Sequence, residues 1–315
     1  MKKWRGFVKQ AEIDIGSNSM RLTLYELDED GFKILFREKD MAGLAGYVEN
    51  NVLTSDGIKR ACDGLLHFKH TLESLKIKNV FVFATASLRN IANTDEAVNT
   101  IKEITGYNVE VISGEEEADL GYYGALQELA ISDGVFIDIG GASTEVVTFK
   151  DNAILTSHSF SVGSLSLYKK CVKNILPGKG SMKKIKNLIK KTIKLDGIKQ
   201  KGETKSFVAV GGTARGILKL AKKYYGLDNN CHIITAQQLK GLSILLCRKE
   251  VDRADLILRI EPERIHTLVP GYMILQYIFE YFDADEMIVS DYGVREGYLC
   301  QKLLPKNIHT AKTEK

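Results

Sequence analysis

Two stretches of this chain follow one plan, and that repetition constrains the fold more than any other feature. Near the N-terminus it reads Ala11-Glu12-Ile13-Asp14-Ile15-Gly16-Ser17-Asn18-Ser19-Met20-Arg21-Leu22-Thr23-Leu24-Tyr25. Later it reads Val135-Phe136-Ile137-Asp138-Ile139-Gly140-Gly141-Ala142-Ser143-Thr144-Glu145-Val146-Val147. Each copy is an apolar strand closed by Asp-Ile-Gly, a small polar loop and a second β-branched strand. A carboxylate at the end of a buried strand costs free energy unless a cation or hydrogen-bond donor meets it. Glycines in such a loop let backbone N–H groups come close to a ligand, as in loops that hold phosphate. Either copy alone also reads as an ordinary tight hairpin. The two aspartates stand 124 positions apart, too far for a solenoid repeat and suited to two duplicated domains. Two such hairpins facing each other would clamp a phosphate and its metal ion.

At 315 residues the chain is long enough for two domains with cores of their own. Its first ten residues are basic but hold no apolar run, so no secretory signal is expected, and no run of about 18 apolar residues predicts a membrane span. Five scattered cysteines, none spaced Cys-x-x-Cys, predict reduced thiols in a cytoplasm.

Period and punctuation predict the first hairpin over 7–27 and a third strand over 31–37, with 38–53 read as loop. A helix follows over 55–75, where His67 and His70 read as solvated residues rather than a metal pair. A buried strand at 80–84 leads through a polar turn holding Arg89 into a helix over about 94–105; Arg89 is placed either for an anionic ligand or as a surface residue. After a strand over 109–112, Ser113 and Glu116 have capping-box spacing. Glu117 instead shares a helical face with Leu120, Gly121 and Gly124, the face that turns inward, and an inward carboxylate there fits a general base. Beyond the second hairpin come a strand over 153–160 and a helix over 164–172.

The span 169–205 holds thirteen lysines against Asp196 and Glu203. Met182, Ile185, Leu188, Ile189 and Ile193 keep helical spacing, so the lysines cover the outer face of a helix, either as a solvated face or as an electrostatic guide for a polyanion. A buried strand over 207–210 leads into Gly211-Gly212-Thr213-Ala214-Arg215 and a helix to about 225, a weak phosphate-loop signal by itself. Helices at about 236–250 and 270–282, a strand at 286–290, a helix over 293–304 and a frayed tail over 305–315 complete the reading.

These motifs, in this order, resemble the exopolyphosphatase / guanosine pentaphosphate phosphatase family of the actin, sugar-kinase and heat-shock-chaperone superfamily. The resemblance runs from about Glu12 to Leu299. It rests on Asp-Ile-Gly-Ser-Asn-Ser at 14–19, Ala-Thr-Ala-Ser-Leu-Arg-Asn with Asn93, Ile-Ser-Gly-Glu-Glu-Glu-Ala at 112–118 and Asp-Ile-Gly-Gly-Ala-Ser-Thr-Glu at 138–145. Gly-Gly-Thr at 211–213, Val-Pro-Gly at 269–271 and Val-Arg-Glu-Gly at 294–297 complete it. The resemblance implies an α/β fold of two ribonuclease-H-like (actin-like ATPase) domains with the active site in the interdomain cleft. The domains are expected at 1–125 and 126–304, with the last helix, about 293–304, open to packing back on the first domain.

By resemblance Glu117 is the catalytic glutamate, and Asp14, Asp138 and Glu145 are the metal-associated acids for Mg²⁺ or another divalent metal. The phosphate contacts fall on Gly16, Ser17, Asn18, Ser19, Arg89, Gly140, Gly141, Ala142, Ser143, Gly211, Gly212 and Thr213. Lys183, Lys184, Lys190 and Lys191 are the candidates for polyanion guidance. Three departures stand out: Ala142 replaces a third glycine, the segment Val162-Gly163-Ser164-Leu165-Ser166-Leu167 lacks an arginine many members carry, and Met41-Ala42-Gly43-Leu44-Ala45-Gly46 replaces an arginine-containing stretch. The chain reads as the short, two-domain form.

The implied function is that of a cytoplasmic exopolyphosphatase, a hydrolase removing the terminal phosphate of inorganic polyphosphate with a glutamate base. The alternatives are hydrolysis of the 5′-phosphate of guanosine pentaphosphate, and a weakly catalytic sensor of either molecule. A sugar or acetate kinase is disfavoured by Glu117 beside alanine. Neither a nucleic acid polymer nor a membrane is an expected partner, and a homodimer stays open.

Overall fold

The computed structural model describes residues 8–28, 31–195, 198, 206–246 and 250–304. The chain divides into two compact units, one of Met1–Ser113 with Tyr298–Lys315 and one of Gly114–Gly297. The expected cut at 125/126 falls one helix later than this division. That helix belongs to the second unit because it packs against that unit's strands. The tail over 305–315 lies outside the described residues.

In the first unit, β1 (Val8–Ile15), β2 (Met20–Asp28) and β3 (Gly31–Asp40) form an antiparallel meander. The stretch expected as loop over 38–53 instead extends β3, makes a turn of 3₁₀-helix and adds a small ribbon of β4 (Val48–Glu49) and β5 (Val52–Leu53). Then come α1 (Ser55–Ser74), β6 (Val80–Ala84), the single turn α2 (Ala86–Arg89), α3 (Thr94–Thr105) and β7 (Val109–Val111). The hydroxyl of Thr54 accepts from the Gly57 N–H at 3.2 Å and so caps α1. The sheet order is β3-β2-β1-β6-β7, with β6 parallel to β1 and to β7. Alternation along β1 sends Ile13 and Ile15 into a core shared with α1 and α3. The opposite face gathers Tyr25 and Leu27 with Leu299, Cys300 and Leu304.

The second unit repeats the plan. After α4 (Gly114–Ala125), the strands β8 (Gly134–Ile139), β9 (Thr144–Lys150) and β10 (Ala153–Phe160) form the meander. Next are α5 (Ser164–Cys171), α6 (Lys179–Thr192), β11 (Ser206–Val210), α7 (Gly211–Tyr225) and β12 (Ile233–Thr235). The unit ends with α8 (Ala236–Leu246), α9 (Glu250–Ile260), α10 (Leu268–Phe282), β13 (Glu286–Val289) and the start of α11 (Val294–Tyr298); the π-helix over Leu299–Leu303 that continues it belongs to the first unit. Sheet order is β10-β9-β8-β11-β13-β12, with β8, β11 and β13 parallel. One face carries Val135, Ile137, Phe207 and Ala209 into the core under α7 and α10. The other carries Phe136, Val147, Phe149 and Val208 against Ala118 and Tyr122 of α4. Three layers result: α4, sheet, helices.

The approach of α4 to the start of α11 is set by two glycines. A Cβ on Gly124 would overlap the carbonyl oxygen of Gly293, and one on Gly297 would overlap that of Leu120. The inward reading of the α4 face with Gly121 and Gly124 thus matches a backbone-to-backbone approach. No helix among the described residues is long and apolar enough to cross a membrane.

Candidate functional site

The two hairpins turn in the same way. Gly16 N–H donates to the Ser19 carbonyl at 3.2 Å, and Gly140 N–H donates to the Ser143 carbonyl at 3.0 Å. Among the rungs at which they differ is that of the aspartate. In the first hairpin Asp14 pairs across the ladder with Arg21, and in the second Asp138 pairs with Glu145. Directly opposed side chains sit about 5 Å apart at Cβ, where opposite charges help and like charges repel. The second hairpin therefore sets two acids together where the first sets an acid beside a guanidinium.

Period two also fixes their face. Asp138 lies on the same side of β8 as Phe136, and Glu145 on the same side of β9 as Val147 and Phe149; that side is covered by α4. The first turn of α4 holds Glu115, Glu116 and Glu117. Glu115 is exposed and Glu116 half-buried, whereas Glu117 is 8% exposed. Glu145 is 1% exposed, and its Oε1 accepts from the Ser159 hydroxyl at 2.8 Å. Burial, first, and then the Glu117 and Asp138 carboxylates push Glu145 well above the usual glutamate value, while the Ser143 and Ser159 hydroxyls pull it back. The Glu117 and Asp138 carboxylates thus both act on Glu145 at the carboxyl edge of β8.

The loop between Asp138 and Glu145 is clamped from behind. Ser164 N–H and hydroxyl donate to the Gly140 carbonyl at 2.9 and 3.0 Å, and the N–H groups of Leu165 and Ser166 donate to the Gly141 carbonyl at 3.0 and 2.9 Å. The Thr144 hydroxyl donates to the Val162 carbonyl at 2.6 Å. The arginine-free segment 162–167 is thus the brace of the loop, and Ala142 sits half-buried within it.

Beside the loop, β11 enters α7 directly. Gly211 has φ +81°, a left-handed conformation that favours glycine, and a Cβ there would run into the Asp138 carboxylate. Over Gly212 lies the guanidinium of Arg264, which also pairs with Glu261, Nε to Oε1 at 3.6 Å. Thr213 is 2% exposed and its hydroxyl donates to the Ile139 carbonyl at 3.2 Å, so the side chain ties α7 to β8. Within α7, burial and the charge of Arg295 depress the Arg215 guanidinium, Asp138 and Asp291 support it, and Arg264 adds to the repulsion. Arg215, Arg264 and Arg295 therefore gather at the carboxyl ends of β8, β11 and β13, the edge at which open α/β sheets bind ligands.

In the first unit, Asp14 is half-buried near the end of β1, Ser17 is 7% exposed, and Gly16, Asn18 and Ser19 are half-buried. Arg89, the last residue of α2, is half-buried and donates from Nη1 to the Ile112 carbonyl at 3.1 Å. Among the described residues, no group of three or more His, Cys, Asp or Glu converges so as to hold a metal ion. His67 is exposed and pairs with Glu38 at 2.6 Å. Lys183, Lys184, Lys190 and Lys191 all lie exposed on α6.

Comparison with known proteins decides the family. The model of the Ppx/GppA phosphatase family matches residues 23–306. The chain belongs to that family. A candidate exopolyphosphatase of Haemophilus influenzae is 29% identical over 313 residues, 98% of this chain and 95% of that protein. A guanosine-5′-triphosphate,3′-diphosphate pyrophosphatase of Pseudoalteromonas translucida is 29% identical over 298 residues, 93% of this chain but 59% of its own length. Among solved structures, the Ppx/GppA family member of Aquifex aeolicus superposes with a TM-score of 0.78 at 26% identity, covering 96% of this chain and 99% of the other. The two-domain α/β architecture is accordingly that of the Ppx/GppA phosphatases, and the protein is a phosphatase.

Three site features escaped the sequence reading. Ser159 had no signal, since its role comes from lying across the ladder from Glu145. Arg215 and Arg295 lay inside quoted motifs, but their convergence depends on the parallel pairing of β11 with β8 and β13. Arg264 precedes the Val-Pro-Gly motif, and only the fold carries it over Gly212.

Proposed function

We propose that this phosphatase is an exopolyphosphatase, removing the terminal phosphate of inorganic polyphosphate with Glu117 as the general base. The observation that carries the reading is the buried Glu145 with the Glu117 and Asp138 carboxylates acting on it, beside a braced glycine-hydroxyl loop and the N-terminus of α7. Backbone N–H groups of the 140–143 turn and of the first turn of α7 would hold the chain end, since a helix N-terminus and a glycine turn both favour anions. Arg264 and Arg215 set positive charge beside that turn. Glu117 would orient a water and take its proton as the water's oxygen attacks the terminal phosphorus in line. The bond to the bridging oxygen breaks, its electron pair stays with the shortened chain, and orthophosphate leaves.

The residues also suit a divalent cation. Glu145 is held well above its usual value by two neighbouring acids, a repulsion that a cation would relieve. Mg²⁺ is commonly held by one or two carboxylates plus substrate phosphate and water. Asp138 and Glu145 would hold it, and when bound it would supply neutralisation of charge on the transferring phosphoryl group.

The second reading is hydrolysis of guanosine pentaphosphate, favoured by the similarity to the Pseudoalteromonas pyrophosphatase. Phosphate release from long polyphosphate and from guanosine pentaphosphate, wild type beside Glu117→Gln, separates the two. Release from polyphosphate that falls at least about 10³-fold in the variant is the expected result. Release from the nucleotide alone would put the second reading first. Tight binding with no release from either would leave a sensor and overturn the role of Glu117.

A further inference from the structure

Helix α6 is charged in a way that a merely solvated surface is not. Its fourteen residues include six lysines and neither Asp nor Glu. Soluble helix faces ordinarily mix both signs, and like charges three or four residues apart cost a few tenths of a kcal/mol per pair. Lys179 and Lys183 also stand near the N-terminal end, where the helix dipole disfavours cations. Ile185 and Ile189 point into the core, while Lys183, Lys184, Lys190 and Lys191 are exposed. Among the described residues none of these four has an ion pair with a carboxylate. Lys186 is apart from them, lining a hollow between α6 and α10 with Glu280, which accepts from Gln276 at 2.8 Å.

The patch is continuous with the site. The N-terminus of α5 braces the 140–143 loop through Ser164, Leu165 and Ser166. The last turn of α5 carries the exposed Lys169 and Lys170, about 12 Å away along an eight-residue helix. The charges of Lys170 and Lys184 both reach the Cys171 thiol, so the α5 lysines and the α6 face adjoin. From there α6 adds about 21 Å of cationic surface.

We propose that α5 and α6 form a track that binds the body of a long inorganic polyphosphate whose end lies at the 140–143 loop. A flexible polyanion without bases or sugars suits it, because α6 offers ammonium groups and no aromatic ring on which a base could stack, and the Tyr168 ring of α5 is already packed against His266. This inference rests on the reading of the protein as an exopolyphosphatase and adds where the rest of the chain goes.

The test compares triphosphate with polyphosphate of hundreds of residues, using wild type, a Lys183→Gln/Lys184→Gln/Lys190→Gln/Lys191→Gln variant and the matching four-fold Lys→Arg variant. The expected result is a KM for long chains raised on the order of tenfold in the Gln variant, with kcat and the triphosphate KM unchanged. The Arg variant should behave as wild type. The slope of log affinity against log salt for labelled long polyphosphate should flatten by about 3, four contacts at about 0.7 each. An unchanged long-chain KM would overturn the track, as would an equal loss on triphosphate. Displacement of labelled polyphosphate by single-stranded RNA at equal phosphate concentration would overturn the choice of partner. If the wild type releases no phosphate from any polyphosphate, the exopolyphosphatase reading fails. The binding measurement then stands alone: lysine-dependent binding keeps the track, and lysine-independent binding removes it.

Discussion

Glu145→Gln is expected to abolish activity while stabilising the metal-free protein in a pH-dependent way. Glu145 is 1% exposed, and its proton affinity is raised by burial and by Glu117 and Asp138. Over the range between the ordinary glutamate value of 4.5 and its raised value, the folded protein holds a proton that the unfolded chain has released. With more protons bound in the native state, stability falls as pH rises through that range, by up to about 1.4 kcal/mol per pH unit. Below 4.5 both states are protonated and this site contributes its full stability. Glutamine keeps an acceptor for the Ser159 hydroxyl but carries no charge, so the variant loses this pH dependence. Measured by urea unfolding in EDTA from pH 5 to 8, wild-type stability should decline relative to Glu145→Gln by up to about 1.4 kcal/mol per unit, with the variant the more stable at pH 8. Saturating Mg²⁺ should narrow the gap, because a cation favours the ionised pair. A stability difference that is constant across pH, or that widens in the opposite sense, would refute the reasoning.

Gly124→Ala should destabilise by more than about 3 kcal/mol, since its Cβ meets the backbone of Gly293 and no side chain can move aside; a loss under 1 kcal/mol in chemical denaturation would show that α4 shifts freely. Tyr122→Phe should leave stability unchanged or raise it by about 1 kcal/mol. The Tyr122 hydroxyl is buried with no hydrogen-bond partner among the described residues, and burial, with smaller contributions from the Tyr123 phenol and Asp133, pushes its pKa up to about 12. A clear drop in Tm on removing that hydroxyl would reveal a bound water as its partner.

Much of the site was legible because it is local. Asp-Ile-Gly at a strand end, the inward glutamate of α4 and the glycine pair after β11 all declare themselves within a few residues. The duplication, too, could be read from spacing and is repeated in the two sheet orders. What stayed hidden depended on distant partners. Helix α9 was not anticipated: Arg253 is 2% exposed and donates to the carbonyls of Leu246 and Pro177, so a buried cation interrupts the apolar period that marks a helix. The ribbon of β4 and β5 is two residues per strand, below what alternation can signal. The arginine group is assembled by strand pairing, which no linear spacing encodes.

The rung that holds the aspartate in each hairpin offers a direct experiment. Arg21 and Glu145 occupy equivalent places in two copies of one plan, so the same aspartate faces a guanidinium in one turn and a second carboxylate in the other. Each hairpin is an internal reference for the other: exchanging Arg and Glu between those places would show how far that one side chain sets the charge of the turn.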